Sequence, residues 1–135
     1  MINKEIKKFI EHNSILMLAN IGLDGLPKIR PMITLGFFRE TLWFAVTESK
    51  LVYQELQKDN NLELCSVILG RWIRIKGKAV FEYDKSIITH VLEHSDITDK
   101  FYKNKNETEE NVKVFYIEIE NGVLSDLERD LKIKF

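Results

Sequence analysis

Between Ile21 and Lys50 the sequence gathers groups suited to gripping a small anion. Lys28 and Arg30 stand two apart in a strand-like stretch, and strand side chains alternate faces, so both point the same way as Met32. Further on, Ser49-Lys50 immediately precedes an amphipathic helical pattern. A hydroxyl and an ammonium at a helix start offer donors to an anion, beside backbone N–H groups that have no partner within the helix. The expectation is that Arg30 and the Ser49-Lys50 pair hold one phosphate, since charge-assisted donors suit a phosphate dianion.

Three other sets of residues invite a chemical reading. His90-Val91-Leu92-Glu93-His94 matches the His-x-x-Glu-His string of inverted zinc peptidases, and its spacing puts both imidazoles on one helix face. That chemistry needs a third ligand and a large substrate chamber, so two exposed histidines near a helix C-terminus are the favoured reading, with no metal. Trp72, Arg74, Lys76 and Lys78 alternate along one strand and would suit an oligonucleotide-binding face. The net charge of −1 and the single aromatic in that row favour a solvated strand face instead. Cys65, the only cysteine, lies in the apolar run from Leu62 to Leu69 and is expected to be a small buried strand residue.

The elements that must position these groups follow from periodicity and turn residues. Ile6, Phe9 and Ile10 recur at helical spacing in Lys4 to His12. Ile15 to Ile21 reads as a buried strand, Asp24-Gly25 as a turn, and Lys28 to Phe37 as a second strand. Pro31 lacks the N–H that a central ladder position needs, so it marks a bulge, an edge, or a place where something other than a strand meets the backbone. Arg39-Glu40 turns the chain into Thr41 to Val46, and a helix follows over Lys50 to Lys58. Leu62 to Leu69 and Arg71 to Tyr83 read as strands with Gly70 between them, and Gly77 as a bulge or bend. Asp84 can cap a helix carrying Ile87, Ile88, Val91 and Leu92. A short helical turn is expected over Ser95 to Tyr102, a polar stretch over Lys103 to Asn111, and a strand over Val112 to Glu120. Asn121-Gly122 is a strong hairpin signal, after which Val123 to Leu127 should pair back. The alternating tail, Leu131 to Phe135, can finish the sheet.

Six or seven strands with few and peripheral helices predict one mainly β domain over residues 1–135, an antiparallel barrel. A doubly wound sheet would need helices alternating with strands, and neither Gly-x-Gly-x-x-Gly nor a Walker loop is present. One cysteine allows no intramolecular disulfide, and no apolar run approaches the ~20 residues of a membrane span. With no apolar signal region at Met1 to Glu5, a cytoplasmic protein without membrane or nucleic-acid partners is expected. The Asn106-Glu107-Thr108 sequon carries no weight in that setting.

Ile21-Gly22-Leu23-Asp24-Gly25 followed by Pro27-Lys28-Ile29-Arg30-Pro31-Met32 resembles the opening hairpin of the pyridoxamine-phosphate-oxidase-like flavoproteins, the FMN-binding split barrels. The resemblance continues through Leu42 to Val46, Ser49-Lys50, Tyr53, Asn61 to Cys65, Arg71 to Ala79 and Val114 to Ile117, in order along nearly the whole chain. It implies a split β-barrel homodimer with FMN in two clefts at the subunit interface. It further implies that Arg30, Ser49 and Lys50 hold the FMN phosphate. The backbone around Pro31 and Met32, and around Ala45, Val46 and Thr47, would lie along the flavin and ribityl chain. Trp72 falls where the family places a residue near the flavin ring, a polar one in the oxidases.

Two departures bear on the substrate. Leu51 stands where the oxidases carry another basic residue, and neither arginine nor histidine follows Arg129, although the oxidases use both there. Pyridoxamine phosphate oxidation is therefore not expected. Chain length and the Arg30-Pro31-Met32 strand resemble the short general-stress and nitroimidazole-resistance types, although Pro27 to Phe37 lacks the histidine often associated with the latter. The expected function is electron transfer from reduced FMN to a small acceptor, nitroaromatic or quinone-like, with the chemistry on the flavin and no catalytic side chain. The alternatives are a flavin-binding or flavin-sensing protein without substantial turnover, and a nucleic-acid-binding barrel.

Overall fold

A computed structural model describes residues 2–38, 40–94, 111–129 and 131–135. The elements run α1 (Lys4–His12), β1 (Ile15–Ile21), β2 (Pro27–Phe38), β3 (Thr41–Thr47), α2 (Leu51–Lys58), β4 (Asn61–Ile68) and β5 (Arg71–Glu82). They continue with α3 (Lys85–Glu93), β6 (Val112–Asp126) and β7 (Leu131–Lys134). The strands form one antiparallel sheet in the order β3-β2-β1-β4-β5-β6-β7, and an additional β3–β6 pairing closes the first six into a barrel. Long β6 makes this possible. Its first residues pair β3 from Val112 to Tyr116, and Val123 to Asp126 pair β7 after β3 has ended. Closure removes the sheet edges that would otherwise invite pairing with other chains, leaving β7 as an added outer strand.

The core is what the alternation requires. Leu16 and Leu18 of β1, Leu62 and Leu64 of β4, and Ile73 and Ile75 of β5 point inward and are buried. Phe44 stacks on Phe115 at 5.4 Å between centroids, and Phe81 packs on Phe115 at 5.1 Å. Helix α1 plugs the barrel through Ile6, Phe9 and Ile10, its start capped by Asn3, whose side chain accepts from the Glu5 N–H at 2.7 Å. A second apolar cluster holds Trp43, Val91, Val112 and Val114, with Ile88 and Leu92 of α3 packed against it. Asp84 caps α3 by accepting from Ser86 N, and that contact with Ser86 holds its carboxyl below the usual carboxylate range.

Leu69 and Gly70, both at positive φ, form the two-residue hairpin between β4 and β5, with Ile68 opposite Arg71. Gly25, at φ 79°, serves the β1–β2 turn.

Two expectations are overturned. Asn121-Gly122 is not a turn: β6 runs straight through it, with Asn121 opposite Lys76 and Gly122 opposite Ile75. Pairing along nearly all of β5 outweighs the local turn preference, and Gly122 is not at positive φ. Its lack of a side chain instead makes room for the Phe135 ring, which a Cβ at 122 would strike. The register slips by one residue between Lys76 and Gly77, leaving Glu120 without a cross-strand partner on β5. Gly77 is needed at this slip, because a Cβ there would collide with the Glu118 carbonyl oxygen and the Ile117 side chain. The second correction concerns Cys65, which is exposed: Leu64 and Ser66 take the inward positions on β4, so Cys65 must face out. The expected turn at Arg39 and helical turn over Ser95 to Tyr102, with most of the polar stretch that follows, lie outside the described residues.

Candidate functional site

Strands β2 and β3 start as a hairpin and then part company. They pair from Phe38 opposite Thr41 to Thr34 opposite Phe44, with a bulge at Gly36, whose φ is 98°. Beyond that point β2 is paired only to β1, through Pro27 to Ile33, and β3 only to β6, through Ala45 to Thr47. Buried Thr34 sits at the fork, donating from its hydroxyl to the Trp43 carbonyl at 2.8 Å and accepting from Gly36 N at 3.0 Å. The result is a cleft between two unpaired strand edges.

Pro31 fits the β2 edge for a definite reason. The Thr34 N–H bonds the Ser14 carbonyl at 2.9 Å, and the Gly22 N–H bonds the Leu26 carbonyl at 2.8 Å. In an antiparallel ladder hydrogen-bonded and non-hydrogen-bonded pairs alternate, so Arg30 and Met32 bond β1 while Pro31, opposite Met17, is a non-bonded position. The missing N–H of Pro31 therefore faces the cleft and costs no ladder bond.

The chain leaves β3 at Thr47 and enters α2 directly. Lys50 N donates to the Thr47 carbonyl at 3.0 Å, the Ser49 and Thr47 hydroxyl oxygens lie 3.3 Å apart, and extended Lys50 is the N-cap residue. Ser49 and Lys50 are exposed, and the Lys50 ammonium has no partner among the described residues. One turn on, the Tyr53 hydroxyl accepts from Gln57 at 3.1 Å and meets the Tyr83 hydroxyl at 3.4 Å. The Tyr83 contact, aided by partial burial, pushes the Tyr53 phenol up to about 12, so it stays a neutral donor and acceptor.

Arg30 joins the two sides of this arrangement. Its guanidinium lies 2.8 Å from a Glu55 carboxylate oxygen on α2, and the Asn20 side-chain amide of β1 donates to that same oxygen at 3.2 Å. Glu55 is only 4% exposed and Arg30 a quarter exposed, so this is a half-covered ion pair with one face to water. Arg30 has no other polar partner among the described residues, which leaves further donors of its fork free. Lys28 behaves differently: it turns back to Asp24 of the β1–β2 turn at 2.9 Å and holds that carboxyl below its usual range. Sequence reasoning missed Glu55 and Asn20. The signal was there, since Glu55 shares the buried helix face with Val52 and Leu56.

Arg30, Pro31 and Met32 thus flank one side of the cleft, and Ala45, Val46 and Thr47 the other, with Ser49 and Lys50 at the α2 start. Trp72 does not join them within one chain. It lies half-buried on the outer face of β5, with Val67 and Ser125 as cross-strand neighbours, and β1 and β4 separate β5 from β2. The outer face between them is apolar and open: Ile15, Met17, Ile29, Pro31, Cys65 and Val67, with Ile29 and Val67 each more than two-thirds exposed. His90 and His94 stack at 4.0 Å between ring centroids, with His90 edge-on to Phe38 at 4.8 Å. No group of three metal-ligating side chains occurs among the described residues.

The family model described as pyridoxamine 5'-phosphate oxidase matches residues 2–124. No curated protein matches the chain by sequence. Among solved structures, the chain is similar to a protein related to general stress protein 26 of B. subtilis, from Clostridium acetobutylicum. Identity there is 19%, with 97% of this chain and 91% of that one covered and a TM-score of 0.76. A NimC/NimA family protein from the same organism gives 17% identity, 98% and 92% coverage and a TM-score of 0.78. A heme binding protein from Mycobacterium smegmatis gives 11% identity and a TM-score of 0.75, with 98% of this chain but 56% of that one covered. At these identities the likeness is one of fold.

Proposed function

The chain belongs to the pyridoxamine 5'-phosphate oxidase family, and from that premise we propose that it is a homodimeric FMN-binding oxidoreductase acting on a small acceptor. The observation that carries this reading is the parting of β2 and β3 beside the start of α2. It leaves two backbone edges without strand partners, next to a hydroxyl, an ammonium and a guanidinium with donors to spare. These groups fit FMN. Arg30, Ser49 and Lys50 would hold the phosphate, and the edges at Pro31–Met32 and Ala45–Thr47 would lie along the ribityl chain and ring. The flavin, when bound, supplies the redox chemistry, and the protein orients it and shapes the pocket. No side chain is proposed as acid or base. Exposed Leu51 offers no charge beside Lys50, so a phosphorylated pyridoxamine is not the proposed substrate.

The dimer belongs to the same reading. An exposed apolar sheet face of this extent is unusual on a monomer. A two-fold contact through it would carry Trp72 of one copy toward the β2 edge of the other, completing a site that one chain leaves half-built. Val67→Asp, at the centre of that face, is expected to convert a dimer to a monomer in sedimentation equilibrium; a monomeric starting protein would sink the idea. No helix among the described residues is long and apolar enough to cross a membrane, and a cytoplasmic location completes the proposal.

The test is the absorbance spectrum of the purified protein and of what it releases on denaturation. A flavin spectrum and released FMN are expected; a Soret band instead would favour haem. Arg30→Ala and Lys50→Ala should each weaken FMN binding by ~10- to 150-fold, about 1.5–3 kcal/mol for one lost charge-assisted contact. Equal flavin affinity in both variants and the parent would refute this phosphate site. Turnover of a reduced nicotinamide with a nitroaromatic or quinone acceptor would separate an oxidoreductase from a protein that only binds or senses flavin.

A further inference from the structure

We propose that the outer face of the β5–β6–β7 end carries a second anion site, which takes a small phosphorylated ligand bearing two or more negative charges. A groove of about 450 Å³ runs along this face, lined by Arg74 and Lys76 of β5 and by Lys132 and Lys134 of β7. Its volume lies within the range of small-molecule pockets. The register explains how these four cations meet. Arg74, Val123 and Lys134 form one cross-strand row, and Trp72, Ser125 and Lys132 form the next. Residues in register point to the same face, so Arg74 and Lys134 flank β6 at about two strand spacings, ~9.6 Å. Between them β6 presents only small side chains, Val123 and Ser125. The cations are therefore walls and β6 is the floor.

The electrostatics distinguish this cluster from the rest of the surface. Elsewhere cations are matched: Lys7 with Glu40, Lys28 with Asp24, Arg30 with Glu55, and Lys113 with Glu48. Arg74, Lys76, Lys132 and Lys134 have no ion-pair or hydrogen-bond partner among the described residues, and the only carboxylate lining the groove is Glu63. Four unneutralised cations converge here in a chain whose net charge is −1. Like charges gathered on one sheet face oppose folding, and a bound anion removes that cost.

The same geometry argues for a small ligand over a polynucleotide. Lys78, which would extend a linear basic track along β5, lies beyond the register slip at Gly77 and turns to Glu120 at 4.0 Å. The track is thus cut at one end, while β7 adds two cations on the far wall. What remains is a short trough, matched to a diphosphate-sized group. This site shares no residue with the β2/β3 cleft and stands whether or not that cleft holds FMN.

The test is isothermal titration of the full chain with inorganic pyrophosphate at low ionic strength. The parent should bind, and Lys132→Gln/Lys134→Gln and Arg74→Gln should each weaken binding at least ~10-fold, while Lys85→Gln on α3 and Arg30→Ala in the cleft leave it unchanged. Binding lost in Arg30→Ala but kept in the groove variants would place the anion in the cleft and overturn the proposal. Parent-like affinity in the groove variants, verified as folded by circular dichroism, would do the same. A single-stranded oligonucleotide that binds more tightly than pyrophosphate and is lost in the groove variants would overturn the small-ligand assignment.

Discussion

Phe115→Ala is expected to lower the unfolding free energy by about 3–5 kcal/mol, the range for truncating a fully buried aromatic. Phe115 is completely buried and sits where the barrel closes, opposite Phe44 of β3 on one side and Phe81 of β5 on the other. It stacks nearly parallel on Phe44, with 15° between the ring planes, and tilts against Phe81. Removing the ring takes away transfer energy, both aromatic contacts and the filling of a space that two strands frame rigidly. Little can collapse into it, because α1 and the inward leucines already occupy the neighbouring volume. Phe115→Leu, which keeps most of the volume, should cost about 1.5 kcal/mol or less. Urea unfolding measures both, and a midpoint for Phe115→Ala within error of the parent would contradict this account of the closure.

Glu55→Ala is expected to cost about 3 kcal/mol, the lower end of the range for removing one partner of a buried ion pair. The lower end applies because Arg30 is a quarter exposed and can turn toward water. Asn20 cannot: it is buried, its amide loses the Glu55 oxygen, and its own carbonyl oxygen already lacks a partner. Glu55→Gln keeps an acceptor for Asn20 and loses only the charge, so it should cost less, about 1–2 kcal/mol. A double-mutant cycle over Arg30 and Glu55 should give a coupling on the order of 1–3 kcal/mol. Additive single-variant effects would show that the pair is two independent surface contacts. If Arg30 grips a phosphate, the cycle acquires a second readout. Glu55 then fixes the guanidinium, and Glu55→Gln should weaken flavin binding more than its stability cost alone explains.

Much of this fold was legible because strand alternation, turn glycines and caps are local signals. The β1–β2 turn at Asp24-Gly25, the Asp84 cap and the inward set on β5 follow from neighbours in sequence. Pro31 was legible as an edge because a missing donor has only a few tolerable places. Asn121-Gly122 misled for the converse reason. Its turn preference is local, whereas twelve cross-strand pairs between β5 and β6 are long-range and invisible in one sequence. Cys65 misled because an apolar run was read as a strand buried on both faces, while its outer face is an open apolar surface. The Arg30–Glu55 pair spans 25 residues and joins a strand to a helix, so only the fold could reveal it.

The unmatched residue Glu120 works as a phase shifter for everything downstream of it. Before the slip the odd-numbered residues of β6, Ile117 and Ile119, face inward, as their partners Ala79 and Gly77 do; after it the even-numbered ones, Gly122 and Leu124, lie opposite inward Ile75 and Ile73. One residue fewer would set Val123 and Ser125 toward the barrel interior and Leu124 toward water. Because Lys132 and Lys134 are locked in register with Ser125 and Val123, they would be driven inward as well. A single-residue deletion far from both clusters would therefore exchange the wet and dry sides of the last two strands, a change of parity that no compensating charge or methyl group could undo.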